Sequence, residues 1–156
     1  MQKNKVEIFI ISILTPLVVG FISSLLSNNA KDIYMELIKP PLSPPGIIFP
    51  IVWTIIYILM GIASYFIFID DSIYKNKALQ LYRTSLIFNF FWSIIFFRLG
   101  FYLLAFVWLL VLIYIIINMI IVFYKIKPLA AYLLIPYLLW CLYAAYLNLG
   151  IYILNR

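Results

Sequence analysis

The sequence predicts an all-α integral membrane protein, a bundle of five transmembrane helices with a proline-rich loop between helices 1 and 2. Three observations lead to this prediction. The 156 residues are 67% hydrophobic and 10% charged, whereas soluble domains are typically about 45–50% apolar and about 25% charged. Five apolar runs are each close to, or longer than, the roughly 20 residues that a helix needs to cross a bilayer. The breaks between the runs are short, which favours antiparallel neighbours in a single domain over residues 1–156.

The predicted helices follow from where the apolar runs begin and end. They cover approximately residues 6–26, 47–69, 79–97, 101–124 and 129–154. The first run is longer than a signal-peptide core and no small-residue cleavage site follows it, so we expect a retained helix. The second follows the segment IKPPLSPPG at positions 38–46, whose two Pro-Pro pairs favour a stiff, extended strap. The other breaks are DDSIYKNK, the two residues before Gly100, and KIKP.

The basic residues indicate an orientation in the membrane rather than a nucleic-acid surface. The formal charge is +6, but Lys and Arg lie singly at the ends of apolar runs, without a cluster that would contact phosphates. With the N-terminus inside, seven of the 11 basic residues fall inside, which the positive-inside rule favours. The proline strap and the C-terminus are then outside. The inside set is Lys3, Lys5, Lys75, Lys77, Arg83, Lys125 and Lys127, and the outside set is Lys31, Lys39, Arg98 and Arg156.

Polar and aromatic residues recur at helical spacing in three of the predicted helices. Because lipid-facing surface favours Leu, Ile, Val and Phe, we expect these faces to point into the bundle. Aromatic walls with one or two polar anchors are typical of a pocket for a large, flat, apolar ligand. The alternative is structural: Asn89 hydrogen-bonds a neighbouring helix, and the tryptophans fill the bundle core. The faces comprise Trp53, Tyr57, Gly61 and Ser64 in the second helix, Ser85, Asn89, Trp92, Ser93 and Phe96 in the third, and Trp140, Ala144 and Asn148 in the fifth.

The residue types that the chain lacks exclude several kinds of chemistry. The sequence contains no histidine, which excludes Ser-His-Asp catalysis and removes the commonest zinc and haem ligand. Its five acidic residues lie in loops or at a helix edge, so no carboxylate is available in mid-membrane for a proton relay or an acid/base pair. We therefore expect no metal site and no required cofactor.

Four segments carry a resemblance to a known family: YMELIKPPLSPPG, FPIVWTIIYILMGIASY, NFFWSIIFF and AAYLLIPYLLWCLYAAYLNLGIYILN. Together they resemble the TspO/MBR family, which includes tryptophan-rich sensory proteins and the mitochondrial translocator protein, or peripheral benzodiazepine receptor. The resemblance covers nearly the whole chain and is to a bacterial-type member. It implies a five-helix bundle in the bacterial cell membrane, often a homodimer, with a cavity beneath the loop joining helices 1 and 2.

The resemblance also implies ligands and site residues. Family members bind porphyrins, such as protoporphyrin IX, and benzodiazepine-type drugs, and animal members also bind cholesterol. The motifs carry the cavity tryptophans over to Trp53 and Trp140, and they place Tyr34 and Pro44 in the loop that covers the site. The candidate ligand-binding residues are Tyr34, Pro44, Trp53, Tyr57, Asn89, Trp92, Ser93, Trp140 and Ala144.

Three functions remain open at this point. A membrane receptor or sensor that binds tetrapyrroles, protoporphyrin IX and haem among them, is favoured, with porphyrin as the ligand. The alternatives are a light-dependent porphyrin-degrading enzyme, with Trp53 and Trp140 as catalytic residues, and a porphyrin or sterol transporter. The fourth helix, which contains AFVWLLVLIYI, lacks the acidic residue that many relatives carry there, so a role assigned to that acid does not transfer. Near the C-terminus, LGIYILNR fits the loose cholesterol-contact pattern.

Overall fold

The computed structural model describes residues 4–27 and 29–156, and all the regular elements in these ranges are helical. The all-α class is thereby confirmed. Lys3, which was counted among the inside residues, lies outside the described ranges. The elements are α1 (Lys5–Leu26), α2 (Ala30–Glu36), α3 (Ile48–Phe68), α4 (Lys75–Ser93) followed by a π-helical turn (Ile94–Arg98), α5 (Tyr102–Ile126), α6 (Pro128–Tyr132) and α7 (Ile135–Leu154).

Within residues 4–27 and 29–156, four helical segments are long and apolar enough to cross a membrane. They are α1, α3, α5 and the combined stretch Pro128–Leu154 that contains α6 and α7. A further long helix, α4 with its π turn, runs through the bundle but carries three basic residues in its first half. The lower hydropathy of α4 means that its membrane crossing, the third of the five predicted, stays a prediction.

Three features of the helices differ from the sequence prediction by more than two residues at a boundary. The α4 helix begins at Lys75, four residues before the predicted start at Leu79, because polar residues extend the helix beyond its apolar run. The first predicted break contains the short helix α2, and its first turn carries Asp32, which favours a helix N-terminus. The last predicted helix is divided into α6 and α7, with Leu133 and Leu134 between them.

The bundle is held together by α5, which packs against both α4 and α7, while α1 packs mainly on α3. Fully buried side chains at its centre include Met60, Leu112, Phe123 and Tyr137. By contrast, α1 buries few side chains and exposes large apolar residues along most of its length. In a membrane this exposed surface is solvated by lipid, since lipid tails and apolar side chains have similar polarity.

The proline strap, residues 38–46, lies across the C-terminal end of α7. Asn155 fixes its beginning, because its Oδ1 accepts from Ile38 N at 3.0 Å and its Nδ2 donates to Ile38 O at 2.8 Å. Further along, the Tyr146 hydroxyl donates to Pro41 O at 2.6 Å, and the Tyr143 hydroxyl donates to the Leu42 carbonyl. Proline cannot donate a backbone hydrogen bond, and the strap is attached through the Ile38 N–H and three carbonyl groups to the side chains of Tyr143, Tyr146 and Asn155.

Candidate functional site

A cavity of about 260 Å³ lies at the strap end of the bundle, bounded by α1, α3, α4 and the π turn. Trp53 and Tyr57, one helical turn apart on α3, form an aromatic wall with their ring centroids 5.4 Å apart. Trp92 of α4 forms part of a second wall and is packed on Phe96, with the centroids 5.5 Å apart. The lining residues are Gly20, Phe21, Ser23, Ser24, Ser27, Ala30, Phe49, Pro50, Trp53, Thr54, Tyr57, Asn89, Trp92, Ser93 and Phe97.

Two buried amides connect the aromatic walls to the rest of the bundle. Asn89 Nδ2 donates to the Tyr57 hydroxyl at 3.1 Å, which links α4 to α3 inside the cavity. Trp92 Nε1 donates to Asn148 Oδ1 at 3.1 Å, and Asn148 Nδ2 donates to Tyr102 O at 2.7 Å. Asn89 therefore has both roles that the sequence left open, since it joins two helices and also lines the cavity.

Three serines form a polar patch on the cavity wall where α1 meets α4. Ser23 Oγ donates to Phe90 O at 2.8 Å and hydrogen-bonds Ser93 Oγ, and Ser27 Oγ donates to Ser93 Oγ at 2.8 Å. The sequence prediction included Ser93 but not Ser23 or Ser27. A signal for them was present, because two serines four residues apart in an apolar helix share one face.

A second, much smaller space of about 20 Å³ lies beside the cavity, towards α7. Tyr34 and Ala144 line it, as do Phe49 and Trp92, which also line the main cavity. The Tyr34 hydroxyl donates to Pro44 O at 2.8 Å and so joins α2 to the strap. Burial raises the pKa of the Tyr34 phenol, so the group remains a hydrogen-bond donor at neutral pH.

Trp140 lies behind Phe49 rather than in the cavity wall. The centroid of its ring system is 5.7 Å from that of Phe49 and 5.5 Å from that of Tyr143. Its Nε1 is buried and has no hydrogen-bond partner among the described residues. The sequence prediction did not include Phe49, which packs against Trp140 and lines the cavity.

The structure thus distributes the candidate residues over three neighbouring places. Five share the main cavity, two line the small space beside it, Pro44 belongs to the strap, and Trp140 stands behind Phe49. The five in the cavity are Trp53, Tyr57, Asn89, Trp92 and Ser93, of which Trp92 also lines the small space, and the two in the small space alone are Tyr34 and Ala144.

The groups that line this cavity are suited to binding an apolar ligand. Its walls are mostly aromatic and aliphatic, and its polar groups are neutral amides, hydroxyls and indoles. Among residues 4–27 and 29–156, no group of three or more His, Cys, Asp or Glu side chains is placed to hold a metal ion. Such a site can stack a flat ligand and orient it with a few hydrogen bonds.

Most of the chain is similar in sequence to known proteins of one family. The family profile described as TspO/MBR family matches residues 12–154. A tryptophan-rich protein TspO of Archaeoglobus fulgidus is 35% identical over 146 residues, which cover 92% of this chain and 94% of the relative. A tryptophan-rich protein TspO of Chlorobaculum tepidum is 35% identical over 143 residues, covering 89% and 90%. A translocator protein homolog of Schizosaccharomyces pombe is 33% identical over 146 residues, covering 91% and 88%.

Proposed function

Since this chain belongs to the TspO/MBR family of membrane proteins, we propose that it is a membrane receptor or sensor that binds tetrapyrroles in the cavity at the strap end of the bundle. The observation that carries the proposal is the aromatic wall of Trp53, Tyr57 and Trp92 beside the neutral polar groups of Asn89 and the serine patch. A flat conjugated ring stacks on such walls, and amide and hydroxyl groups can orient its polar substituents.

The family resemblance supports a more specific proposal for the ligand, the oligomeric state and the membrane orientation. The natural ligand is a porphyrin such as protoporphyrin IX or haem, bound as a ligand and not as a required cofactor. Benzodiazepine-type molecules and sterols are further ligands of the same apolar character. The protein acts as a homodimer in the bacterial cell membrane, with its N-terminus inside and the strap outside.

Replacing Trp53 with phenylalanine is expected to weaken protoporphyrin IX binding by about three- to tenfold, because the larger indole face is lost from the wall. Binding is measured in the dark with purified protein, from the quenching of tryptophan fluorescence. Trp108→Phe is the matched control, because Trp108 stacks on Phe88 between α4 and α5 and does not line the cavity. Equal affinities for wild type and Trp53→Phe would show that the porphyrin binds elsewhere.

The titration is carried out in the dark because the resemblance also implies light-dependent degradation of porphyrin. If the absorbance of protoporphyrin falls in light, faster with wild type than with Trp53→Phe, the protein degrades its ligand. If the loss is equal for both proteins, the light reaction takes place without help from the cavity.

Replacing both Pro44 and Pro45 with alanine is expected to weaken ligand binding several-fold while leaving the bundle folded. Each proline fixes its own φ and restricts the residue before it, so the strap loses little freedom when it closes over a ligand. Affinity is measured by the same titration, and folding by circular dichroism. Pro128→Ala is the control, since this proline starts α6 and lies outside the strap. Unchanged affinity of the double variant would mean that the strap only ends a helix.

A further inference from the structure

Phe49 separates two spaces that are both lined by residues predicted from the sequence to belong to one site. Its ring lines both the main cavity and the small space beside Ala144. It also makes edge contacts with Tyr34, at 5.0 Å between ring centroids, and with Trp140, at 5.7 Å. The ring therefore contacts both α2 and α7, while Trp53 packs directly on Tyr137 of α7, at 6.2 Å between ring centroids.

The volume of the main cavity indicates how this separation affects the size of ligand that can bind. At about 260 Å³, the main cavity lies just below the roughly 300–1,000 Å³ range of pockets that enclose drug-sized ligands. The space beside it adds only about 20 Å³ while the ring is in place. When the ring is displaced, the two spaces and the volume that the ring occupied form one larger site.

Of the two side chains that line both spaces, Phe49 is the one that can move. Trp92 is buried and its indole N–H is bonded to Asn148 Oδ1 at 3.1 Å, so displacing it would break a buried hydrogen bond. Phe49 is only partly buried and has no polar atom in its side chain. It also lies in the first turn of α3, where Ile48 N bonds to Pro45 O at the end of the strap.

We infer that Phe49 is a specificity-determining residue of this site, because its ring sets the size of ligand that the cavity admits. Small aromatic molecules occupy the main cavity with the ring in place. Larger planar ligands bind after the ring has moved, and the joined site then includes Ala144 and the face of Trp140. This inference deepens the proposed function, and it rests on that function only for the identity of the ligand.

The separation can be tested without any ligand by labelling a thiol placed in the small space. Ala144→Cys in a Cys141→Ala background puts one thiol at position 144, where the native side chain is buried. Labelling by the small neutral reagent methyl methanethiosulfonate is followed by mass spectrometry. Adding Phe49→Ala is expected to raise the labelling rate by about tenfold or more. Burial suppresses the reactivity of the thiol, and removing the ring exposes the thiol to the reagent through the main cavity.

Phe97→Ala is the matched control for this labelling. Phe97 lines the main cavity but not the small space, so its truncation enlarges the cavity while Phe49, which lines both spaces, stays in place. An equal rise for Phe97→Ala and Phe49→Ala, or no rise for either, would overturn the inference. Phe49→Leu is the second variant if the alanine variant does not fold as judged by circular dichroism, and an intermediate rise is expected for it.

Binding measurements then separate the inference from the proposed ligand. Phe49→Ala is expected to bind protoporphyrin IX about three- to tenfold more tightly than wild type, because no ring has to leave its rotamer. Indole, which fits beside the ring, should bind no more tightly. If no variant binds porphyrin but labelling responds as expected, the proposed ligand is wrong and the separation by Phe49 stands. If porphyrin binds wild type and Phe49→Ala equally, the ring does not select ligands by size.

Discussion

Replacing Gly61 with alanine is expected to destabilise the bundle by about 1–3 kcal/mol, although alanine is the better helix former. A Cβ atom at this position would lie 2.6 Å from Ile13 Cα and 2.8 Å from Ser12 O. Both atoms belong to the backbone of α1 and cannot rotate away, so α1 and α3 must separate. The expected result is a fall in Tm of roughly 2–10 °C, measured by circular dichroism in detergent.

Gly46→Ala provides a control of the same chemistry. A Cβ at Gly46 would meet only Tyr34 Cδ1, at an ordinary contact distance of 3.6 Å. We expect this variant to lie within about 0.5 kcal/mol of wild type. If Gly61→Ala were as stable as Gly46→Ala, the close approach of α1 to α3 would not contribute to stability.

The fold was predictable from the sequence where the determinants are local. The two Pro-Pro pairs predict an extended segment between helices 1 and 2, because proline restricts the backbone whatever surrounds it. The structure interrupts this segment with a turn at Pro41 and Leu42, where Leu42 adopts a φ of 65°. Runs of apolar residues predict the long helices because they, too, are local features of the sequence. The short helix α2 was missed because its seven residues are too few to show a clear apolar face, and short helices depend on tertiary contacts.

The site was predictable within each helix but not between helices. Trp53 and Tyr57 share a face because they are four residues apart, and the same holds for Asn89 and Ser93. Whether the face of α7 meets the same cavity depends on how that helix is rotated against α3. The structure places Phe49 in front of Trp140, and no spacing in the sequence distinguishes Phe49 from other apolar residues at the start of a helix.

Replacing Asn148 with leucine is expected to destabilise the protein by about 1–2 kcal/mol and to weaken ligand binding as well. Asn148 is buried and bridges two helices, since it accepts from Trp92 Nε1 and donates to Tyr102 O. Leucine leaves the indole N–H of Trp92 without a partner and removes the side-chain donor to Tyr102 O. Trp92 then loses the bond that orients its ring in the cavity wall, so we expect both a lower Tm and a weaker porphyrin titration.

Asn118→Leu separates this bridging role from a general effect of removing an amide. Asn118 Nδ2 donates only to Tyr114 O in its own helix, at 2.8 Å, so its loss should change stability and binding little. A double-mutant cycle with Trp92→Phe then measures the bond itself. Phenylalanine has no N–H, so Asn148→Leu should cost less in that background, by about 0.5 kcal/mol or more. An equal cost in both backgrounds would mean that the indole–amide bond does not hold the cavity wall, and that Asn148 acts through Tyr102 alone.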